Sequence, residues 1–215
     1  MTTPAATLSF IHRFETGTDS NAAPLLLLHG TGGDENDLID LGRMVAAGAA
    51  LLSPRGKVSE GGMPRFFRRL AEGVFDEEDV KRRANELADF IGEARETYDL
   101  PAPIALGFSN GANIAAATLL LRPEALAGAV LIRAMVPLSQ PPEVDLAGKS
   151  VLILSGSMDP MVPADNAEHL AEQLRNGGAQ VQHRTLPAGH GLSQADITLA
   201  REFLTRDTRL HQKSA

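Results

Sequence analysis

The chain has 215 residues, 43% of them hydrophobic and 22% charged, with a formal net charge of −7. That composition suits one folded domain with a sizeable core and argues against disorder, while the acidic balance argues against a basic face for nucleic acid. With no cysteine in the sequence, disulfides, thiolate metal sites and a thiol nucleophile are all excluded.

The lack of disulfides fits a reducing cytoplasm, the expected location. "MTTPAATLSFIHRFETG" has no basic region leading into a long apolar core, so no signal peptide is read. No apolar run approaches the roughly 20 residues of a membrane helix. Aromatic side chains are scarce, eight Phe, one Tyr and no Trp, which leaves little to stack on single-stranded nucleic acid.

In chain order, "TLSFIHRFE" (7–15) predicts an early strand with partial alternation. "PLLLLHG" (24–30) is a continuous apolar run, as in a strand buried on both faces. Leu38, Leu41, Met44 and Val45 have helical spacing, and "AALLSPR" (49–55) is a short buried strand stopped by Pro54. The segment 55–78 is the least regular, after which helical spacing returns from about Glu78 to Tyr98. Strand "IALGF" leads into a helix over Ala112–Leu121, and "AGAVLIRA", "VLILSGS" and "QVQHRTLP" predict three more strands. Helices are expected over Ala164–Asn176, ended by Gly177 and Gly178, and over Ser193–Thr205.

Strands alternating with helices predict an α/β fold. Its mostly parallel central sheet of about seven strands is flanked by helices on both faces, as a three-layer sandwich. Residues 1–210 are expected to form a single domain with a lid-like loop at 55–78, followed by a tail at 211–215. In such sheets ligands bind at the carboxyl ends of the strands. The predicted strands end in His29-Gly30, Ser53-Pro54, Phe108-Ser109, Met135-Val136, Ser157-Met158-Asp159 and Gly189-His190. Serine, aspartate and histidine therefore meet at one edge.

Gly107-Phe108-Ser109-Asn110-Gly111 fits the nucleophile elbow G-x-S-x-G. A chain that reverses from strand to helix in so few residues leaves no room for Cβ two positions either side of the serine, whose hydroxyl is pushed out of the bend. The bland alternative is a flexible glycine turn. A serine needs a base, and the elbow's partners follow in the order Ser, Asp, His. Asp159 and His190 each lie in a loop just past a predicted strand. Ser109 is thus the candidate nucleophile, His190 the general base and then acid, and Asp159 the group that orients and stabilises the imidazole.

The competitors fit less well. His183 lies inside a strand pattern, His169 is mid-helix, Asp165 suits a helix start, and Asp145 precedes its strand. "HGTGGDEND" follows the first buried strand. There the backbone N–H groups of Thr31 and Asn110 are the expected oxyanion donors, the alternative being a plain turn capped by Asp34 or Asn36. The glycines lack the lysine of a phosphate loop, and no metal-ligand spacing occurs, so no metal and no cofactor are expected.

"LLLLHGTGGDENDL", "GFSNGA", "SGSMDPMVP" and "AGHGLS" occur in the order in which the α/β-hydrolase fold carries them. Over about Pro24–Thr205 the chain resembles the phospholipase/carboxylesterase family of small bacterial esterases and acyl-protein thioesterases. The resemblance implies a serine carboxylesterase that acts on small or short-chain esters through an acyl-enzyme. With the same triad, a thioesterase, a hydrolase of an aromatic-degradation product or a non-catalytic ligand-binding relative are the alternatives. Thioesterase members commonly carry Gln-Gly after the serine, where this chain has Asn110-Gly111.

Met63, Phe66 and Phe67 in the 55–78 loop are expected to line the substrate pocket, with Met161, Val162 and Leu192 as further walls. Arg65, Arg68 and Arg69 either meet a substrate carboxylate or pair with Asp76–Asp79. The expected partner is a small-molecule ester, with no nucleic acid and no membrane span; a homodimer is compatible with this.

Overall fold

The computed structural model describes residues 8–211. Its centre is a seven-stranded sheet whose strands lie side by side in the order 12–15, 51–54, 25–28, 104–108, 128–132, 150–156 and 180–186. β1 (His12–Glu15) pairs antiparallel with β3 (Leu51–Pro54). All other pairings in this sheet are parallel, among β2 (Leu25–Leu28), β3, β8 (Ile104–Phe108), β9 (Gly128–Ile132), β10 (Ser150–Gly156) and β11 (Gln180–Leu186). Parallel neighbours need crossover connections, and four of them carry a helix: α1 (Ile39–Val45), α2 (Glu77–Tyr98), α3 (Asn110–Leu121) and α4 (Ala164–Asn176); the β9–β10 connection has none, and α5 (Gln194–His211) follows the last strand.

The uninterrupted apolar strands are explained by burial on both faces. Leu26 and Leu28 of β2, with Ala105, Leu131 and Ile153, join the core under α2, α3 and α4. Leu25 and Leu27, with Leu106, Val130, Leu152 and Leu154, join the opposite core under α1 and α5. Period-two alternation thus divides one run of leucines between two apolar layers. α3 is buried nearly throughout. Its alanines bring it close to the sheet, which sets the approach of its first turn to the end of β8.

α2 starts where Asp76 accepts the Asp79 N–H at 3.2 Å, with acidic Glu77, Glu78 and Asp79 in its first turn. It stops at Asp99, in the left-handed region at φ 52°. The expected irregular segment 55–78 contains two small antiparallel hairpins instead. β4 (Val58–Glu60) pairs with β5 (Met63–Arg65), and β6 (Arg69–Ala71) with β7 (Val74–Phe75). Gly61 and Gly62, both at positive φ, make the first turn. Three boundaries also differ from expectation. The first strand is confined to 12–15, α3 begins at Asn110, and α5 runs on to His211. Thr7 of the expected first strand and positions 212–215 of the expected tail lie outside the described residues. No helix among the described residues is long and apolar enough to cross a membrane.

Candidate active site

Between β8 and α3 the chain turns at Ser109, whose φ of 51° and ψ of −114° lie outside the regions comfortable for a side chain. Crowding explains the flanking glycines. A Cβ on Gly107 would come 2.6 Å from the Gly111 carbonyl oxygen and 2.7 Å from Ala112 Cα, and one on Gly111 would overlap the Leu28 carbonyl. The bend is braced by the Ser109 N–H, which donates to the Ile132 carbonyl of β9 at 2.8 Å. The hydroxyl projects at the N-terminal end of α3, where helix partial charge is positive.

His190 Nε2 lies 2.9 Å from Ser109 Oγ, and its Nδ1 lies 2.8 Å from Asp159 Oδ2. An ionised carboxylate can only accept, so Nδ1 carries the proton and Nε2 faces the hydroxyl as the acceptor. Asp159 is aimed by its own loop. Its Oδ1 accepts the N–H groups of Met161 (2.8 Å) and Val162 (3.3 Å), which leaves Oδ2 for the ring. The Asp159 side chain is fully buried, whereas His190 stays partly open to solvent. The Phe108 ring packs on the imidazole at 5.5 Å between centroids.

A cleft at this strand edge is lined by Ser109, His190, Thr31 and Asn110 together. Neither the Thr31 N–H nor the Asn110 N–H has an acceptor among the described residues, and a helix's first amides have none within the helix. Asn110 has a further contact, its Oδ1 accepting the Phe66 N–H at 2.7 Å. His29, just before Thr31, is a structural pin. Its Nδ1 is 2.7 Å from the Gly30 carbonyl and its Nε2 accepts the Gly56 N–H at 3.0 Å. Burial pushes the His29 pKa down, against the raising effect of the Gly30 carbonyl. A larger cavity of about 600 Å³, lined by Asp19, Leu25, Met44, Ile104 and Arg201 among others, lies at the opposite ends of the strands, away from these groups.

The expected walls divide. Met161 and Val162 line the cleft. Phe66 and Phe67 do not. They are buried in the core beneath the hairpins, because both have an apolar layer within reach and aromatic partners there, His29 for Phe66 and Phe75 for Phe67. Met63 lies over Gly32 and Leu192 is exposed; neither lines the cleft. Arg68 pairs with Asp76 and Asp79, the bland alternative for that residue. Arg65 and Arg69 do face the cleft and share Glu60, and Arg65 Nη1 donates to Thr31 Oγ1 at 2.9 Å.

Glu72, Gly73, Phe75, Asn113, Arg133 and Met135 complete the lining, and the sequence alone does not point to them. Asn113 is the exception, because it stands one helical turn after Ser109 on the same face. Arg133 is a lone charge at the end of an apolar strand.

A second serine–histidine–carboxylate chain lies elsewhere. His183 Nε2 is 2.9 Å from Ser155 Oγ, and its Nδ1 is 2.8 Å from Glu168 Oε2. Ser155 sits within the regular strand β10, without an elbow and outside the cleft. Hydrogen-bond connectivity alone therefore does not distinguish the two sets; the strained bend and the open cleft do.

A phospholipase/carboxylesterase family model matches residues 11–207. The Bacillus subtilis (strain 168) protein MhqD, described only as a presumed hydrolase, is 47% identical over 89% of this chain and 96% of its own length. The crystal structure of a Bacillus cereus carboxylesterase is similar with a TM-score of 0.90 and 45% identity, covering 93% of this chain and 95% of that one. A Mesorhizobium loti carboxylesterase gives a TM-score of 0.88 at 32% identity, covering 93% and 96%.

Proposed function

The chain belongs to the phospholipase/carboxylesterase family and is an ester hydrolase, and from that premise we propose that it cleaves small carboxylic esters through an acyl-enzyme on Ser109. The observation that carries this is the unbroken hydrogen-bonded chain Ser109–His190–Asp159 beside two backbone N–H groups that have no acceptor among the described residues, all in one cleft. Ser109 Oγ attacks the ester carbonyl carbon while His190 Nε2 takes its proton. The carbonyl oxygen becomes an oxyanion held by the Thr31 and Asn110 N–H groups. Collapse breaks the bond to the alcohol oxygen, which leaves with the proton from Nε2. Water then attacks the acyl-enzyme, giving its proton to Nε2, and the free acid departs as Ser109 recovers its hydrogen. Asp159 stays ionised and holds the imidazolium in place.

Small substrates are favoured by the cleft's surroundings. The two hairpins of 55–78 stand over it, contributing Arg65, Arg69, Glu72 and Phe75, and Arg65 and Arg69 occupy one wall. We read 55–78 as a wall pinned at its base by Gly56, Pro64 and Phe66, which contact His29, Gly32 and Asn110. The test is hydrolysis of a short p-nitrophenyl ester by the Ser109→Ala variant, with fluorophosphonate labelling of the parent. Turnover is expected to fall by at least 1,000-fold, and the parent serine to label. Comparable turnover in the variant, or an unreactive parent, would sink the proposal and favour a ligand-binding relative.

A further inference from the structure

Arg133 directly follows the strand end that braces Ser109. Its backbone is left-handed, φ 56°, and its side chain is fully buried although charged. All three guanidinium nitrogens are engaged. Nη1 and Nη2 each meet a carboxylate oxygen of Asp196 at 2.8 Å, a two-pronged pair. Nε donates to the Gly189 carbonyl at 2.8 Å, Nη2 also to the Gly191 carbonyl at 3.2 Å, and Nη1 also to the Leu154 carbonyl at 3.1 Å. Gly189 and Gly191 are the two neighbours of His190. Asp196 Oδ2 in turn accepts the Ser193 N–H at 2.8 Å and the Ser193 hydroxyl at 2.7 Å, closing the segment that carries the histidine.

A histidine flanked by glycines has no adjacent side chains to lodge it in the core, so its carbonyls are the available handles. A buried ion pair is a poor way to gain stability, since an apolar pair of the same volume commonly does as well. What it supplies is direction. We propose that the Arg133–Asp196 pair is a positioning device for His190. It fixes the backbone on both sides of the ring so that Nε2 and Nδ1 reach Ser109 and Asp159 together. Through Ile132 and Arg133, consecutive residues at the end of β9 thus hold both the serine and the histidine. This rests on the esterase reading above, with His190 as the base.

The test compares Arg133→Lys, Asp196→Asn and the double variant Arg133→Met/Asp196→Leu, which leaves no unpaired buried charge. Ser193→Ala serves as the mild variant. For each, kcat and KM on p-nitrophenyl acetate, fluorophosphonate labelling rate and fraction folded are measured. Because misplacing a catalytic group by about 1 Å costs on the order of 100-fold, folded Asp196→Asn and the folded double variant are expected to lose kcat by roughly that factor. KM should stay within about twofold, and labelling should slow in proportion to kcat. Arg133→Lys should be intermediate, since one ammonium reaches only some of the acceptors, and Ser193→Ala should lose about threefold.

A folded double variant with parental kcat overturns the proposal, as does a loss that vanishes once rates are expressed per folded molecule. If the three stronger variants fail to fold, an unchanged kcat in Ser193→Ala overturns it. Ser109→Ala sets the zero of the assay. Its activity would unseat the esterase reading, whereas the clamp fails only if Ser109-dependent turnover survives its removal.

Discussion

The Phe66 N–H donates to the Asn110 side-chain oxygen at 2.7 Å, so the residue after the elbow serine also holds the 55–78 wall in place. Asn110→Ala keeps the backbone N–H proposed for the oxyanion but leaves a buried amide without an acceptor. Such a loss costs about 1–3 kcal/mol. Asn110 Nδ2 is itself buried without a partner among the described residues, so deleting it recovers part of that cost, and about 1 kcal/mol of destabilisation is expected. Urea denaturation checks this. kcat on a short ester should fall far less than in Ser109→Ala.

Gly111→Ala and Gly92→Ala should have opposite signs. A Cβ at Gly111 overlaps the Leu28 carbonyl, which belongs to the sheet and cannot yield, so loss of soluble folded protein is expected. A Cβ at Gly92 of α2 meets nothing within 4 Å among the described residues and the backbone is helical. Alanine there should stabilise by about 0.5–1 kcal/mol, read as a higher melting temperature.

His29 predicts a pH effect on stability. Burial holds its folded pKa below the unfolded value of about 6.5. Between those two values the unfolded chain binds a proton that the native protein refuses. Stability is therefore lost as pH falls below about 6.5, levels off below the folded pKa, and is unaffected above 6.5. A proton on Nε2 would also confront the Gly56 N–H. In His29→Gln, the difference in urea midpoint between pH 7.5 and pH 5.5 should shrink relative to the parent. An undiminished difference would assign the effect to other groups.

Substrate preference should respond to Met161 and not to Leu192. Met161 lines the cleft beside Ser109 and Leu192 does not. Met161→Ala is expected to change kcat/KM for butyrate relative to acetate esters by about threefold or more, and Leu192→Ala by less than twofold, measured on a p-nitrophenyl ester series. Equal responses would place Leu192 on the substrate path.

Much of this protein was legible before its fold. The leucines of β2, the alternation of strands with helices, and the glycines around Ser109 are local signals, set by side-chain period and by what a tight bend can accommodate. The order Ser109, Asp159, His190 at the ends of three parallel strands is a further signal, because parallel connectivity brings those ends to one edge. The expectation that Phe66 and Phe67 line the pocket fails for a reason visible in the core. A Phe in an irregular segment reads equally well as pocket wall or as core, and here an apolar layer lay within reach of both.

The sequence by itself determined the layers, the elbow and the identity of the groups at the strand ends, because backbone sterics and hydrophobic periodicity act within a few residues. Only the tertiary structure decided which oxygen of Asp159 faces the ring, that Phe66 turns inward, and that Arg133 reaches across to Asp196. It also separated the cleft-side Ser109 set from the Ser155 set with the same hydrogen bonds. Those outcomes depend on contacts between residues distant in the chain, whose geometry exists only once the sheet has assembled.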